Sequence, residues 1–276
     1  MNKNTILAGC IALASALPLV ANATAVVNGA FNSNTLARND DGSTGLVNIG
    51  FTIDFFGDVY TQLYVNNNGN VTFDSPLSTF TPFDLNSTSR DIIAPFFADV
   101  DTRSAGDEVT YGSGMFDSHT AFGVNWIDVD YYSSSSTHTN RNSFQLILVD
   151  RSDISSGDFD IIFNYDQIQW ETGTASDGDN NGRGGNSARV GYSNGSGVAG
   201  TYLELPGSAV NGAFLDGGSN ALVSHRINSD IDGRYIFNAR NGIIEPPPGN
   251  VPEPATLALL GLGLAGIGFG RRRKNA

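Results

Sequence analysis

From Phe51 to Phe237, apolar residues recur in short runs that clusters of Gly, Asn, Asp and Ser interrupt every 8 to 20 residues. No stretch sustains a 3.6-residue period, so the pattern predicts strands throughout. Leu63-Tyr64-Val65 and Val71-Thr72-Phe73 flank Asn66-Asn67-Asn68-Gly69-Asn70, whose Asn-Gly predicts a tight hairpin. Phe144 to Val149 is apolar on both parities, as a central strand covered on both faces would be. Phe159, Ile161, Phe163 and Tyr165 alternate with Asp158, Asp160 and Asn164, which predicts one buried face and one wet face. In Phe122 to Trp126 the apolar residues stand on even numbers, and in Ile127 to Tyr131 on odd ones. A strand cannot exchange its faces without an extra residue, so a β-bulge is expected near Trp126 and Ile127. The serines 133–136 and the glycine-rich 175–187 read as loops, and no internal repeat occurs. The fold class expected is all-β, a single antiparallel sandwich-like domain.

The two ends depart from this pattern. At the N-terminus, Lys3 precedes an apolar run from Ile6 to Val20, and Ala21 and Ala23 occupy the small-residue positions of a signal peptidase site. Residues 1–23 therefore read as a secretory signal peptide, with Ala25 as the other cleavage candidate. Leu7-Ala8-Gly9-Cys10 also spells a lipobox, but the apolar core before it is too short and the run continues past Cys10. At the other end, Pro246-Pro247-Pro248 sits in a spacer over 241–250. After it come Pro252-Glu253-Pro254, an apolar stretch to Phe269, and the basic cluster Arg271, Arg272, Arg273 and Lys274. An extended, proline-fixed segment, a membrane-compatible helix and a charge block held inside by the positive-inside rule stand there in order. Ala255 to Gly270 spans only about 24 Å at 1.5 Å per residue, which suits transient inner-membrane anchoring better than a permanent span. This tail, 251–276, resembles the PEP-CTERM sorting signal of Gram-negative bacteria, which implies recognition and removal by an exosortase-type enzyme.

Charge and cysteine usage narrow the function. The chain carries −13; the removed ends hold five positive charges and one negative, leaving −17 on the 227 residues from Thr24 to Asn250. Such a surface repels nucleic acid, so no nucleic-acid partner is expected, and it favours divalent cations. Cys10, the only cysteine, leaves with the signal, so the exported domain relies on its core rather than on disulfides.

Within the domain, the Leu63 to Phe73 segment resembles the opening of a nidogen-like (NIDO) domain. Ile93-Ala94-Pro95-Phe96-Phe97-Ala98-Asp99-Val100-Asp101 follows at the family's interval, and then come Trp126, Phe144 to Leu148, Gly157 to Tyr165 and Ala188 to Tyr192. The resemblance assigns 51–240 to this β domain, with 24–50 as an N-terminal segment. It implies a non-enzymatic role in cell–matrix adhesion or as an extracellular, biofilm-matrix component, with an extracellular polysaccharide or matrix protein as partner. The implied location is the cell surface or the medium.

Three constellations could carry chemistry. Asp177, Asp179 and Asn181 hold positions one, three and five of a calcium loop with Gly182 at six, but Ala188 stands at twelve where a bidentate Glu belongs. Asp230 and Asp232 lie in a second partial loop ending on Ala239. Calcium at either loop, or plain turn chemistry, remains open. Asp99 and Asp101, two apart, could share a cation, pair with Arg103 or Arg90, or bond loop amides; Asp128 and Asp130 read as a solvated strand face. Gly191-Tyr192-Ser193-Asn194-Gly195 fits G-x-S-x-G, yet no helix follows and His119, His138 and His225 have no recognisable base context, so a hairpin turn is expected instead. The alternative to adhesion is a calcium-dependent carbohydrate-binding module using exposed Tyr131, Tyr132 or Trp170; a secreted hydrolase is the remote third reading.

Overall fold

A computed structural model describes residues 24–134 and 138–245. The signal peptide with its Ala21 and Ala23 site, the prolines at 246–248, and the sorting tail with Pro252, Glu253, Pro254, Arg271, Arg272 and Arg273 lie outside the described residues. Thirteen strands run in chain order: β1 (Asn34–Leu36), β2 (Val47–Phe55), β3 (Asp58–Asn66), β4 (Asn70–Thr72), β5 (Asp91–Phe97), β6 (Val109–Phe116), β7 (His119–Val129), β8 (Asn142–Asp150), β9 (Phe159–Ile168), β10 (Arg189–Asn194), β11 (Tyr202–Glu204), β12 (Arg234–Arg240) and β13 (Ile243–Ile244). A single 3₁₀ turn, Thr174–Ser176, is the only helical element among the described residues.

These strands form two sheets, in the orders β1-β6-β7-β8-β9-β12-β13 and β11-β10-β5-β4-β3-β2. All pairings between named strands are antiparallel. The all-β sandwich expected from the sequence is the fold observed. Between the sheets lies one core holding Phe55, Val65, Phe96, Trp126, Phe163 and Phe237.

The sequence pattern is explained by what covers each outer face. β8 stands fourth of seven; Phe144, Leu146 and Leu148 point into the core, and Ile147 and Val149 pack outside with Phe31. The Phe31 ring lies so close to Gly123 that a Cβ there would meet it at 2.3 Å. The N-terminal segment thus straps the seven-stranded sheet, with Val27 N donating to Gln145 Oε1 (3.1 Å) and Arg234 Nη2 to the Ala25 carbonyl (2.7 Å).

This strap corrects one expectation. The outward face of β9 is not wet: Asn164 is fully buried, Asp158 1% and Asp160 7% exposed. Most of this polarity is satisfied internally, although Asp158 Oδ2 has no partner. Asn164 bonds Gln145 and Arg234, and Asp160 accepts from both Arg151 and Arg240.

The expected bulge is present. Register between β7 and β8 shifts after Trp126↔Phe144 and resumes at Val129↔Asn142, with Asp128 at φ 51. The extra residue lets Trp126 and Val129 both face the core. It also separates the aspartates thought to share a wet face. Asp128 is exposed, whereas Asp130 is 2% exposed and accepts from Arg141 Nη1 (3.1 Å).

Candidate functional site

The hairpin signal Asn66 to Asn70 produces the expected β3–β4 turn, paired Tyr64↔Thr72, Val65↔Val71 and Asn66↔Asn70. Its position is unusual for a turn, because Asn66, Asn67, Asn68 and Asn70 are all fully buried. Gly69 has φ 71 and lies so near Phe96 that a Cβ would meet its carbonyl oxygen at 1.8 Å, so glycine is required on two counts. Buried amides need partners, and here the partners come from distant loops. Asn66 Oδ1 accepts from Ser43 Oγ (2.7 Å) and Leu77 N (3.0 Å). Asn67 Nδ2 donates to the carbonyls of Asp40 and Val100, both at 2.5 Å. Asn68 donates to Asp41 Oδ1 (2.9 Å) and accepts from Val100 N (2.9 Å). Trp126 Nε1 bonds the Asn67 carbonyl at 2.9 Å, which ties the turn to the opposite sheet.

Around this hub three carboxylates converge. One oxygen from each of Asp40, Asp41 and Asp99 lies within 4.8 Å of the others. Asp40 and Asp41 are half-buried on the loop after β1, and Asp99, just beyond β5, is 2% exposed. Arg103 Nη2 reaches Asp40 Oδ2 at 2.9 Å but also binds Asp101 through two nitrogens, at 3.0 and 2.8 Å. Asp40 Oδ1 and Asp99 Oδ2 are buried and have no hydrogen-bond partner. The cost appears as proton affinity. Burial, then repulsion from Asp40, Asp41 and Asp101, pushes the Asp99 carboxyl up to about 8 against the pull of Arg103. Burial and the neighbouring Asp101 and Asp41 push Asp40 up to about 6.

The sequence candidates fare differently. Asp101 pairs with Arg103, one of the expected arrangements, and its Oδ1 accepts the Arg103 amide (2.9 Å). Asp99 does neither; it enters the acidic cluster, and Arg90 pairs with Asp74 instead. Asp177 closes the 3₁₀ turn at φ 66, and its Oδ2 accepts from Asn186 (3.3 Å). Asp179 Oδ1 accepts two amides, from Asn181 (2.8 Å) and Arg183 (2.9 Å). Asp232 pairs with Arg226, and Asp230 is exposed. Both loops therefore fold as tight turns whose bonded carboxylates are held by the protein's own donors.

Ser193 lies inside β10, is 1% exposed, and its Oγ accepts from Gly195 N (3.2 Å). β10 pairs with β11 through this turn, so the G-x-S-x-G sequence is the expected hairpin and not a strand-to-helix elbow. Two aromatics require correction. Tyr131 is 1% exposed and Trp170 fully buried, their rings tilted against each other at 5.3 Å, so neither presents a ring to solvent. The bulge carries Tyr131 inward, and Trp170 Nε1 is anchored on the Val129 carbonyl (3.1 Å). Tyr132 is half-buried under the Arg103 guanidinium, 5.7 Å from the ring centre. Asp40 and Asp41 are what sequence reasoning missed. Asn39-Asp40-Asp41-Gly42 reads as an ordinary turn, and only the fold brings it to Asp99.

Comparison with known proteins adds to this geometry. The family model described as the nidogen-like domain (NIDO) matches residues 61–241, and that described as the PEP-CTERM protein-sorting motif matches 250–274. The chain is 33% identical over 242 residues to alpha-tectorin of Mus musculus and of Homo sapiens, which covers 79% of this chain. Alpha-tectorin of Gallus gallus is 33% identical over 238 residues, covering 78%. The chain spans about 10% of the length of these curated relatives. No solved structure matches it.

Proposed function

This chain belongs to the nidogen-like domain family and ends in a PEP-CTERM sorting motif, and from that premise we propose that it is a non-enzymatic adhesion or matrix protein. The protein is exported, and its place is the cell surface or the medium. Its role there is to join cells to a matrix, or to form part of a biofilm matrix, through an extracellular polysaccharide or matrix protein. An exosortase-type enzyme removes the tail after a transient stay in the inner membrane.

The observation that carries this reading is the pairing of the two matches in one chain. The nidogen-like match spans the sandwich from β3 to β12, and the sorting motif begins nine residues later. The fold is consistent with a binding body: the single serine motif is consumed by a hairpin, and the two sheets enclose a dry aromatic core.

The test has two arms. Replacing Pro252-Glu253-Pro254 by alanines should leave full-length protein in the inner membrane, while wild-type cells release or display a form ending near these residues. Intact Arg271 to Lys274 on displayed protein would refute the sorting half. Cells lacking the protein should shed matrix or attach poorly, and added protein should bind the cells' own exopolysaccharide. Unchanged attachment together with no such binding would refute the adhesion half.

A further inference from the structure

We propose that Asp40, Asp41 and Asp99 form a binding site for one divalent, oxygen-seeking cation, calcium in an extracellular setting, distinct from both aspartate-rich turns. The cluster offers three carboxylates and a wall of buried amides. Hard cations take such oxygens. Calcium is favoured over magnesium because it accepts irregular oxygen cages and gives up its waters readily, whereas magnesium demands near-ideal octahedral geometry and dehydrates reluctantly.

The second, independent observation is the orphaned oxygen chemistry. Asp99 is 98% shielded from solvent, and its Oδ2 finds no donor although its carboxyl enters the cluster. Asp40 Oδ1 and Asn67 Oδ1 are likewise buried without a donor. Buried acceptors are ordinarily satisfied, and Asp40 and Asp99 of this cluster each carry one that is not. The remaining contacts hold the ligands in place. Asn68 fixes Asp41 through Oδ1, Arg103 fixes Asp40 through Oδ2, and the Asn67 amide holds the Asp40 main chain. The Asp99 carboxylate packs against Gly173, where a Cβ would meet Oδ2 at 2.1 Å. Half-buried Asp40 and Asp41 keep the cluster open on one side for entry. The two turns differ in kind: Asp179 already accepts two amides and Asp232 an arginine.

The experiment uses full-length protein stripped with chelator and titrated with calcium chloride by calorimetry and thermal melting. A site of three carboxylates without a bidentate Glu should bind with Kd of roughly 10⁻⁴ M. Ten times that concentration should raise Tm by about 3–5 °C for a domain of this size. Asp99→Asn should weaken binding at least thirtyfold while melting no lower than wild type in chelator, because it removes a buried acid that lacks a partner. Asp177→Asn with Asp179→Asn should leave the calorimetric site and the Tm rise intact. Magnesium at equal ionic strength should give less than a third of the rise. Should Asp99→Asn not fold, Asp41→Asn is held to the same thirtyfold criterion. The proposal is overturned if these variants bind within threefold of wild type, if the Asp177 and Asp179 pair alone abolishes binding, or if magnesium stabilises equally.

Discussion

Trp126→Phe tests whether the buried turn depends on a single tie across the sandwich. Trp126 is fully buried, stacks on Phe144 at 5.1 Å and 11°, and donates Nε1–H to the Asn67 carbonyl at 2.9 Å. Phenylalanine retains the stacking ring and loses the donor and one edge of the indole. The Asn67 carbonyl keeps the Gly69 amide (2.8 Å), so the lost hydrogen bond costs about 0.5–1.5 kcal/mol. The vacated edge, worth about two methylene groups at ~0.8 kcal/mol each, adds about 1.5 kcal/mol. The sum is a loss of about 2–3 kcal/mol, against about 3–5 for truncation to alanine. Urea unfolding measures it, because Trp170 stays as the fluorescent reporter. With m of about 2–3 kcal/mol/M the midpoint should fall by about 1 M at unchanged m. Hydrogen exchange should quicken first at residues 66–70. A midpoint within 0.2 M of wild type, or exchange unchanged at the turn, would refute the assignment of Trp126 as that tie.

Two further predictions concern buried carboxyls. Glu171 is fully buried, and its two oxygens accept from Phe214 N (2.7 Å) and Gly212 N (2.6 Å), so Glu171→Gln, with a single acceptor, should cost about 2–3 kcal/mol and expose the 207–222 segment to protease; a Tm within 1 °C of wild type would contradict this. In chelator, stability should fall as pH rises from about 4 towards about 8: Asp99 sits above its ordinary 3.8, facing Asp40, Asp41, Asp101 and Arg103, so its contribution is full below the unfolded value and lost as the folded group ionises. At ~1.4 kcal/mol per unit the fall to pH 7 is at most about 4 kcal/mol, and Asp99→Asn should flatten the profile; a wild-type profile as flat as the variant's would contradict the assignment.

The parts of this fold legible in the sequence were those written in local alternation. β8 shows both-face burial in five apolar residues out of six from Phe144 to Val149, and the bulge shows in the parity change at Trp126. What could not be read was polarity turned inward. Asn164 and Asp160 look like a wet face until Gln145, Arg234, Arg151 and Arg240 arrive from other strands. Asn66 to Asn70 has the sequence of any exposed hairpin; its burial depends on Asp40, Ser43 and Val100. The acidic cluster joins residues 58 positions apart, and no local spacing rule spans such a loop. The aspartate-rich turns attracted attention because their spacing is local.

The way the chain leaves the sandwich decides how it would bear mechanical load. β13 folds back on β12 through Asn241 and Gly242, both at positive φ, and two residue pairs with one further backbone bond, Glu245 N to the Asn238 carbonyl (3.2 Å), close that hairpin. A pull applied to the chain just beyond β13 therefore opens it one rung at a time, like a zipper, with no rung sharing the load. Behind it β12 keeps six residue pairs to β9, and Arg240 grips both Asp160 and the Phe159 carbonyl. This C-terminal hairpin would thus act as a short mechanical fuse, lengthening the chain by a few residues before tension reaches the sheet. Single-molecule stretching from the C-terminus should show a small, low-force extension preceding the main rupture, and a single rupture with no such step would count against a fuse.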